Sequence, residues 1–320
     1  MARRGLAAAN VASHSGVSAS ISSKAPFEEK TIVLAQENPL SSEFVKLKEF
    51  PISLYHAIRL SATTPERLLV ASEPVPVIVS MTTIPSRLGK LPLVLRSLLQ
   101  QTVRPEKIVV WMHEPMKEQI PAAVKSLLNR PATSDLIQLC YTPLTCSHKK
   151  LIHTIEAYPD HVVVTCDDDF MYHKDWLNTL YQDHLAYPNH VIAQQIRSIS
   201  RDKNGTLKPY KQWRYHPGSN QDPNTFLAIG GKGVLYPKQA LHPDYKNAEL
   251  FLHLAPKADD LWFKAMELRN NTPVRRCTKL VPEPIPIMGT QSFSLKKENV
   301  DRDLNVDQWQ NLSDYFKLEI

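Results

Sequence analysis

Glycine is scarce in this sequence: 9 of 320 residues, against 25 prolines. Few positions can therefore accept a left-handed backbone or a close backbone approach, so a cluster of glycines marks a local requirement. Cysteine is scarcer still, with Cys140, Cys146, Cys166 and Cys277 the whole set. None of their spacings makes a CxxC pair and no HExxH segment is present, which removes the common zinc-site patterns. The four read as reduced core or loop residues of a cytosolic protein. No apolar run reaches the ~20 residues that a membrane-spanning helix needs. No stretch interleaves aromatic with basic residues, so nucleic acid is not expected as a partner. Charge of one sign is not in large excess either: 38 Lys and Arg against 32 Asp and Glu leave +6. That balance suits phosphate-bearing substrates or an anionic membrane surface.

What is present falls into four stretches. Residues 1–26 are small and polar, the composition of a disordered tail. Residues 27–74 hold amphipathic fragments such as Phe44-Val45-Lys46-Leu47 and Leu54-Tyr55-His56-Ala57-Ile58, a helical or irregular extension. The main domain is expected over 75–280, and a Pro-rich, irregular extension over 281–320. Within the main domain, Val77-Ile78-Val79-Ser80, Lys107-Ile108-Val109-Val110-Trp111, residues 136–140 and His161-Val162-Val163-Val164-Thr165-Cys166 read as strands buried on both faces. Helical spacing separates them: leucines at 91, 95, 98 and 99, a segment opened by Pro121, and residues 151–157. This alternation predicts an α/β fold, a mainly parallel sheet with helices on both faces. Ligands of such sheets bind beyond the carboxyl ends of the strands, where residues 80–87, 145–150 and 167–170 fall.

Chemistry concentrates there. Asp167-Asp168-Asp169 follows a strand with three consecutive valines. Adjacent carboxylates repel and are costly to desolvate, so a folded chain keeps them solvated or neutralises them with a cation. Hard oxygen ligands select Mg²⁺ or Mn²⁺, which commonly bridge to substrate phosphates. A solvated turn with helix-capping aspartates before Trp176 is the competing reading. Gly230, Gly231 and Gly233 pack three of the nine glycines into four residues around Lys232, either under a ligand or in a tight turn. Asp259-Asp260 opens a segment with Leu261, Ala265 and Leu268 at helical spacing. One aspartate there is explained by the helix dipole; a second adds repulsion. Trp176, Trp213 and Trp262 accompany these polar clusters and each can simply be core; Trp213, among Tyr210, Tyr215 and His216, is the best candidate to stack on a sugar or base.

These pieces together resemble a GT-A-type glycosyltransferase, close to the family-two-like bacterial group, over roughly residues 75–275. The resemblance rests on residues 77–87, 101–108, Lys149-Lys150-Leu151, the strand ending in Asp167-Asp168-Asp169, Asp175-Trp176-Leu177, residues 230–237 and Ala258-Asp259-Asp260-Leu261-Trp262. It implies a Rossmann-like mixed, mainly parallel sheet in a single main domain. Ser80, Thr82, Thr83, Pro85 and Arg87 would line the nucleotide pocket, with Lys149 and Lys150 near the donor diphosphate. Asp167 and Asp169 would hold Mn²⁺ or Mg²⁺, with Asp168 between them on the donor. Gly230, Gly231 and Lys232 would border the donor sugar, Trp213 and Trp262 the acceptor. Asp259 or Asp260 would be the base of an inverting transfer. No QxxRW segment follows the paired aspartates, which implies a non-processive enzyme. The implied partners are a nucleotide-sugar donor, a UDP-sugar first among them, and a glycan or lipid-linked acceptor, with the enzyme cytoplasmic or peripheral at the inner membrane face.

Two further readings of the triplet stand beside this one. An aspartate-nucleophile phosphohydrolase has a similar strand-Asp-x-Asp segment, although Met171 replaces its usual Thr or Val and the motif lies at mid-chain here. A catalytically silent carbohydrate-binding protein would bind sugar without regard to metal.

Overall fold

The computed structural model describes residues 39–69, 73–215, 221–290, 299–300 and 302–320, with side chains from residue 50 onward. The expected tail over 1–26, the first part of the N-terminal extension and His216 lie outside the described residues. Residues Glu43–Ile320 make one compact unit; the other unit, Met1–Ser42, contributes only the start of a helix to the described residues.

That helix, α1 (Pro39–Ala62), is longer than the sequence suggested and continues through Pro51. A one-turn helix α2 (Pro65–Leu68) leads into β1 (Pro74–Thr82), whose residues Val77 to Met81 are all buried. The expected alternation follows: α3 (Leu91–Leu99), β2 (Arg104–His113), α4 (Ala122–Leu128), β3 (Ile137–Thr142), α5 (Lys149–Ala157) and β4 (Val162–Thr165). The β-branched run of β4 is buried at every position, as a strand covered on both faces must be. Val162 and Val164 enter one apolar core, with α3 and α4, while Val163 enters another, with α5. Alternate side chains thus anchor both helical layers to the sheet.

The second half is built from shorter pieces. In chain order they are β5 (Phe170–Met171), α6 (Trp176–Ala186), β6 (Val191–Ala193), β7 (Ile196–Ser198), β8 (Arg214–Tyr215), β9 (Phe226–Ala228) and β10 (Val234–Tyr236). Then come α7 (Ala248–Leu254), α8 (Asp259–Arg269), β11 (Val274–Arg276), β12 (Ile285–Pro286) and α9 (Leu304–Phe316). The main sheet runs β3-β2-β1-β4-β10-β6-β11. The β1–β2, β2–β3, β1–β4 and β6–β11 pairs are parallel, and β10 is antiparallel to β4 and β6. The architecture is therefore the predicted mixed, mainly parallel α/β sheet flanked by helices. Two small antiparallel ribbons accompany it, β8-β7-β9 and β12-β5.

The stretch beyond residue 280, read as irregular, ends in α9. Asn305, Gln308, Trp309, Leu312 and Ser313 are its buried face, at one-turn spacing. Trp309 and Leu312 share a core with Phe251 of α7 and with Leu261, Trp262 and Ala265 of α8. This packing fixes the start of α8 beneath the main sheet's carboxyl edge, where the acidic triplet lies.

Candidate active site

Three adjacent aspartates at the end of a buried strand cannot all point one way, and here two cations divide them. Arg87 lies in a short helical turn just after β1. Its Nη1 donates to Asp168 Oδ1 at 2.6 Å and its Nη2 lies 3.2 Å from Asp169 Oδ2. Nη2 also donates to the Thr290 carbonyl at 3.3 Å. Asp168 and Asp169 are buried, and the Ile287 amide closes over the Asp169 carbonyl at 2.8 Å. Burial pushes the Asp168 carboxyl above its usual range despite the Arg87 charge.

Asp167 faces elsewhere. Its side chain keeps 36% of its surface exposed, and its Oδ1 accepts from Lys150 Nζ at 2.8 Å. Lys150, in the first turn of α5, is itself buried and lies 3.1 Å from Asp259 Oδ2. Burial alone would discharge this ammonium, but Asp167, Asp259 and Asp260 hold its pKa well above the usual lysine range. Asp259 and Asp260 open α8. Burial opposes the charged form of Asp259, yet the Lys150 charge wins and keeps its carboxyl below the ordinary value. Asp260 goes the other way: burial first, then the Asp259 charge, push it up to about 8. Two adjacent carboxylates have thus been driven apart, one ionised and one protonated near neutrality. Asp259 is buried, whereas Asp260 retains partial exposure.

The glycine turn between β9 and β10 sits on these carboxylates. The Gly230 amide donates to Asp260 Oδ2 at 3.1 Å, and a Cβ at Gly230 would fall 2.6 Å from Asp260 Oδ1. A Cβ at Gly231 would fall 2.9 Å from Asp167 Oδ2. Close approach of the backbone to two carboxylates is therefore the reason for glycine at both positions. Gly233 carries a positive φ of 107° against the Trp176 indole. Tyr172 locks the turn from below: its hydroxyl accepts from the Asp167 amide at 2.9 Å and donates to the Gly231 carbonyl at 3.1 Å. Nothing in the sequence pattern marked Tyr172, which lies five residues after Asp167 and 59 before Gly231.

Other expected site residues are placed differently. Ser80 is buried, and its hydroxyl bonds the Lys150 carbonyl at 2.5 Å and Thr154 at 2.7 Å, tying β1 to α5. Thr82 donates to the Trp111 carbonyl, Thr83 is buried beside the triplet, and Pro85 is exposed at the rim. Lys149 turns away from the triplet, donating to the Leu144 and Thr145 carbonyls at 3.1 and 3.3 Å. Lys232 bridges to Glu283 at 2.6 Å and lies over the Phe170 ring. Trp213 and Trp262 do not reach the cleft. Both are fully buried, their indole N–H groups satisfied by the Lys208 and Tyr245 carbonyls, so neither presents a face to a sugar. Polar neighbours in sequence suggested exposure, but the second core claims both rings.

For a metal, the available donors are carboxylate oxygens, the right type for Mg²⁺ or Mn²⁺. Among the described residues, no three His, Cys, Asp or Glu side chains converge to cage an ion. Asp169, expected as one of the ligands, is buried and held by Arg87. Asp167 is the member of the triplet open to solvent, a set that fits an ion shared with substrate phosphates and water rather than a protein cage. Counting Asp167, Asp168, Asp169, Asp259 and Asp260 against Lys150 and Arg87, the cluster is three charges negative when every carboxylate is ionised. Such a surplus is relieved by taking up a proton, as Asp260 does, or a cation.

The sequence matches no family model and no curated protein. Several solved structures are similar to it. One is 4-diphosphocytidyl-2C-methyl-D-erythritol synthase from Anaerococcus prevotii: 14% identity, TM-score 0.41, covering 68% of this chain and 91% of that one. A second is CMP:2-keto-3-deoxy-manno-octonic acid synthetase complexed with CTP: 13% identity, TM-score 0.41, covering 73% and 100%. A third is S. aureus TarS in complex with UDP: 14% identity, TM-score 0.41, covering 64% and 58%. Likeness of this degree assigns no chemistry to the present chain, whose functional reading rests on its own side chains.

Proposed function

We propose that this chain is a nucleotide-sugar-dependent glycosyltransferase of GT-A type, transferring a sugar to a hydroxyl acceptor with inversion and without processivity. One observation carries the reading. Asp167, Asp259 and Asp260, from the end of β4 and the start of α8, converge on buried Lys150 beneath a glycine turn at the sheet's carboxyl edge. A plain acidic turn needs neither the buried lysine nor glycines shaped to the carboxylates.

In this mechanism Asp260 takes the proton of the acceptor hydroxyl as its oxygen attacks the anomeric carbon and the nucleoside diphosphate departs. Its pKa of about 8 puts the carboxylate near the optimum for a general base working around neutrality. Asp259 is a positioning residue: its negative charge both raises Asp260 and holds Lys150. The Gly230 amide fixes the Asp260 carboxylate where the acceptor would arrive. Lys150 and Lys149 are committed to protein acceptors, so they organise the site rather than reach for the diphosphate. A divalent Mg²⁺ or Mn²⁺, when bound, supplies positive charge for the leaving diphosphate, and Asp167 is the residue that would hold it.

The test is transfer from a panel of nucleotide sugars, UDP-sugars first, with and without Mn²⁺, using wild type and Asp260→Asn. Wild type should turn over with the metal, and the variant should bind donor yet turn over at least about a hundredfold more slowly. Inverted anomeric configuration in the product would match the scheme. Full transfer by Asp260→Asn removes the base, and release of inorganic phosphate from simple esters would favour a phosphohydrolase instead.

A further inference from the structure

Tyr172, whose hydroxyl braces Asp167, also lines a second cavity of about 590 Å³. It lies between α1, the end of α3 and the β5–β12 ribbon. The volume is that of a small-molecule site, which runs to roughly 300–1,000 Å³, mostly apolar with a few placed polar groups. Ile52 of α1, Met171 of β5 and Ile285 of β12 supply apolar wall.

The cavity wall offers hydrogen-bond donors: Arg59 and Lys174 carry positive charge, and His56 and His173 add imidazole nitrogens. Glu283, the acidic residue lining it among the described residues, is engaged by Lys232 at 2.6 Å. Arg59 spends one guanidinium nitrogen on Gln100 Oε1 at 2.7 Å. His173 accepts the Asp175 amide on Nδ1 at 3.2 Å, with the Asp175 carboxylate 3.7 Å from that same nitrogen. Its Nε2 is the ring nitrogen left for a ligand. Burial and then the Arg59 charge lower the His56 pKa, so that ring is a neutral N–H donor near neutrality. Nothing in the fold requires two cations and two imidazoles to gather around apolar space. An anion with an apolar body would satisfy both at once.

We propose that this cavity binds an anionic amphiphile: a phosphate or carboxylate head against His56, Arg59, His173 and Lys174, with an alkyl chain against Ile52, Met171 and Ile285. The site is distinct from the carboxylate cluster, and its occupancy is read without turnover. Its fate is therefore separable from that of the transferase reading.

Titration calorimetry on the full chain tests it with decyl phosphate and decanoate, and with 1-decanol and inorganic phosphate as half-ligands. At least one of the two anionic amphiphiles should bind saturably at one site. Decanol and inorganic phosphate should each bind at least about tenfold more weakly, the difference made by one charge-assisted contact or by the buried chain. Two variants probe the two walls: Lys174→Glu reverses an exposed charge, and Ile52→Glu puts a charge on the apolar wall at a position already 53% exposed. Each should weaken binding at least about tenfold while melting as wild type does. Decanol binding as tightly as decyl phosphate, inorganic phosphate binding as tightly as either amphiphile, unchanged affinity in both folded variants, or no saturable binding would each overturn the proposal.

Discussion

The two cation-centred clusters at the sheet edge are made of the same residue types and behave differently. Around Arg87, both carboxylates are buried, the guanidinium spans them, and the 287–290 backbone closes over the group. Around Lys150, three carboxylates share one ammonium, one of them stays protonated near neutrality, and two keep contact with solvent. The first arrangement is shut away from solvent, and it fastens the loop after β1 to the end of β4. The second stays open to solvent: its carboxylates outnumber its one ammonium, Asp167 is accessible, and Asp260 keeps a proton near neutrality. Identical side chains thus end up sealed or solvent-accessible according to the backbone that closes over them.

The comparison breaks most visibly at the cations. Lys150→Met leaves three carboxylates around a buried hole and should cost about 3–5 kcal/mol in a urea melt, with transfer lost. Adding Asp259→Asn should restore much of the stability but no turnover. Arg87→Met should also destabilise, by about 3 kcal/mol given its partial exposure. There, Asp168→Asn in the same chain should restore stability and most of the turnover together. Equal rescue of activity in both double variants would erase the distinction drawn between the clusters.

Asp260→Asn sharpens it through pH. Turnover by wild type should climb as pH rises towards about 8, where the Asp260 carboxyl ionises, and the variant should lose both that limb and about 10²–10⁴ in kcat. Stability has the opposite sign. The folded pKa of Asp260 lies above its ordinary 3.8, so its contribution is fully present below that value and fades as pH rises through about 8. The Tm of Asp260→Asn minus that of wild type should therefore grow from pH 5 to pH 8 in calorimetry. Gly230→Ala is expected to be milder. Its Cβ would displace the Asp260 carboxylate, lowering kcat about tenfold with about 1 kcal/mol lost. Lys232→Ala, which breaks a bridge to a Glu283 side chain 65% exposed, should change stability by under about 1 kcal/mol.

Much of the fold was legible because β1 to β4 and their helices are local patterns: apolar runs of strand length, with helical leucine spacing between them. The start of α8 was legible for the same reason. The two- and three-residue strands β5, β7, β8 and β12 are defined by partners far along the chain, and no periodicity fits in so few residues. The last helix could have been found, since Gln308, Trp309 and Leu312 repeat at one-turn spacing, but Pro282, Pro284 and Pro286 made the whole stretch read as irregular. In the site, residue types singled out Asp167, Asp259, Asp260 and the glycines, which the structure brings together. They did not reveal that Arg87 would hold Asp168 and Asp169, a pairing across 81 residues for the former. Trp213 and Trp262 were misplaced because a polar sequence neighbourhood says little about which core a ring enters.

The central claim is that Asp167 belongs to the working cluster and Asp169 to the structural one. The most direct measurement sets Asp167→Asn beside Asp169→Asn, recording nucleotide-sugar transfer in Mn²⁺ and thermal unfolding on the same preparations. The account predicts that Asp167→Asn loses transfer and melts like wild type, while Asp169→Asn melts earlier and keeps transfer in its folded fraction. Full transfer by a well-folded Asp167→Asn variant would contradict it.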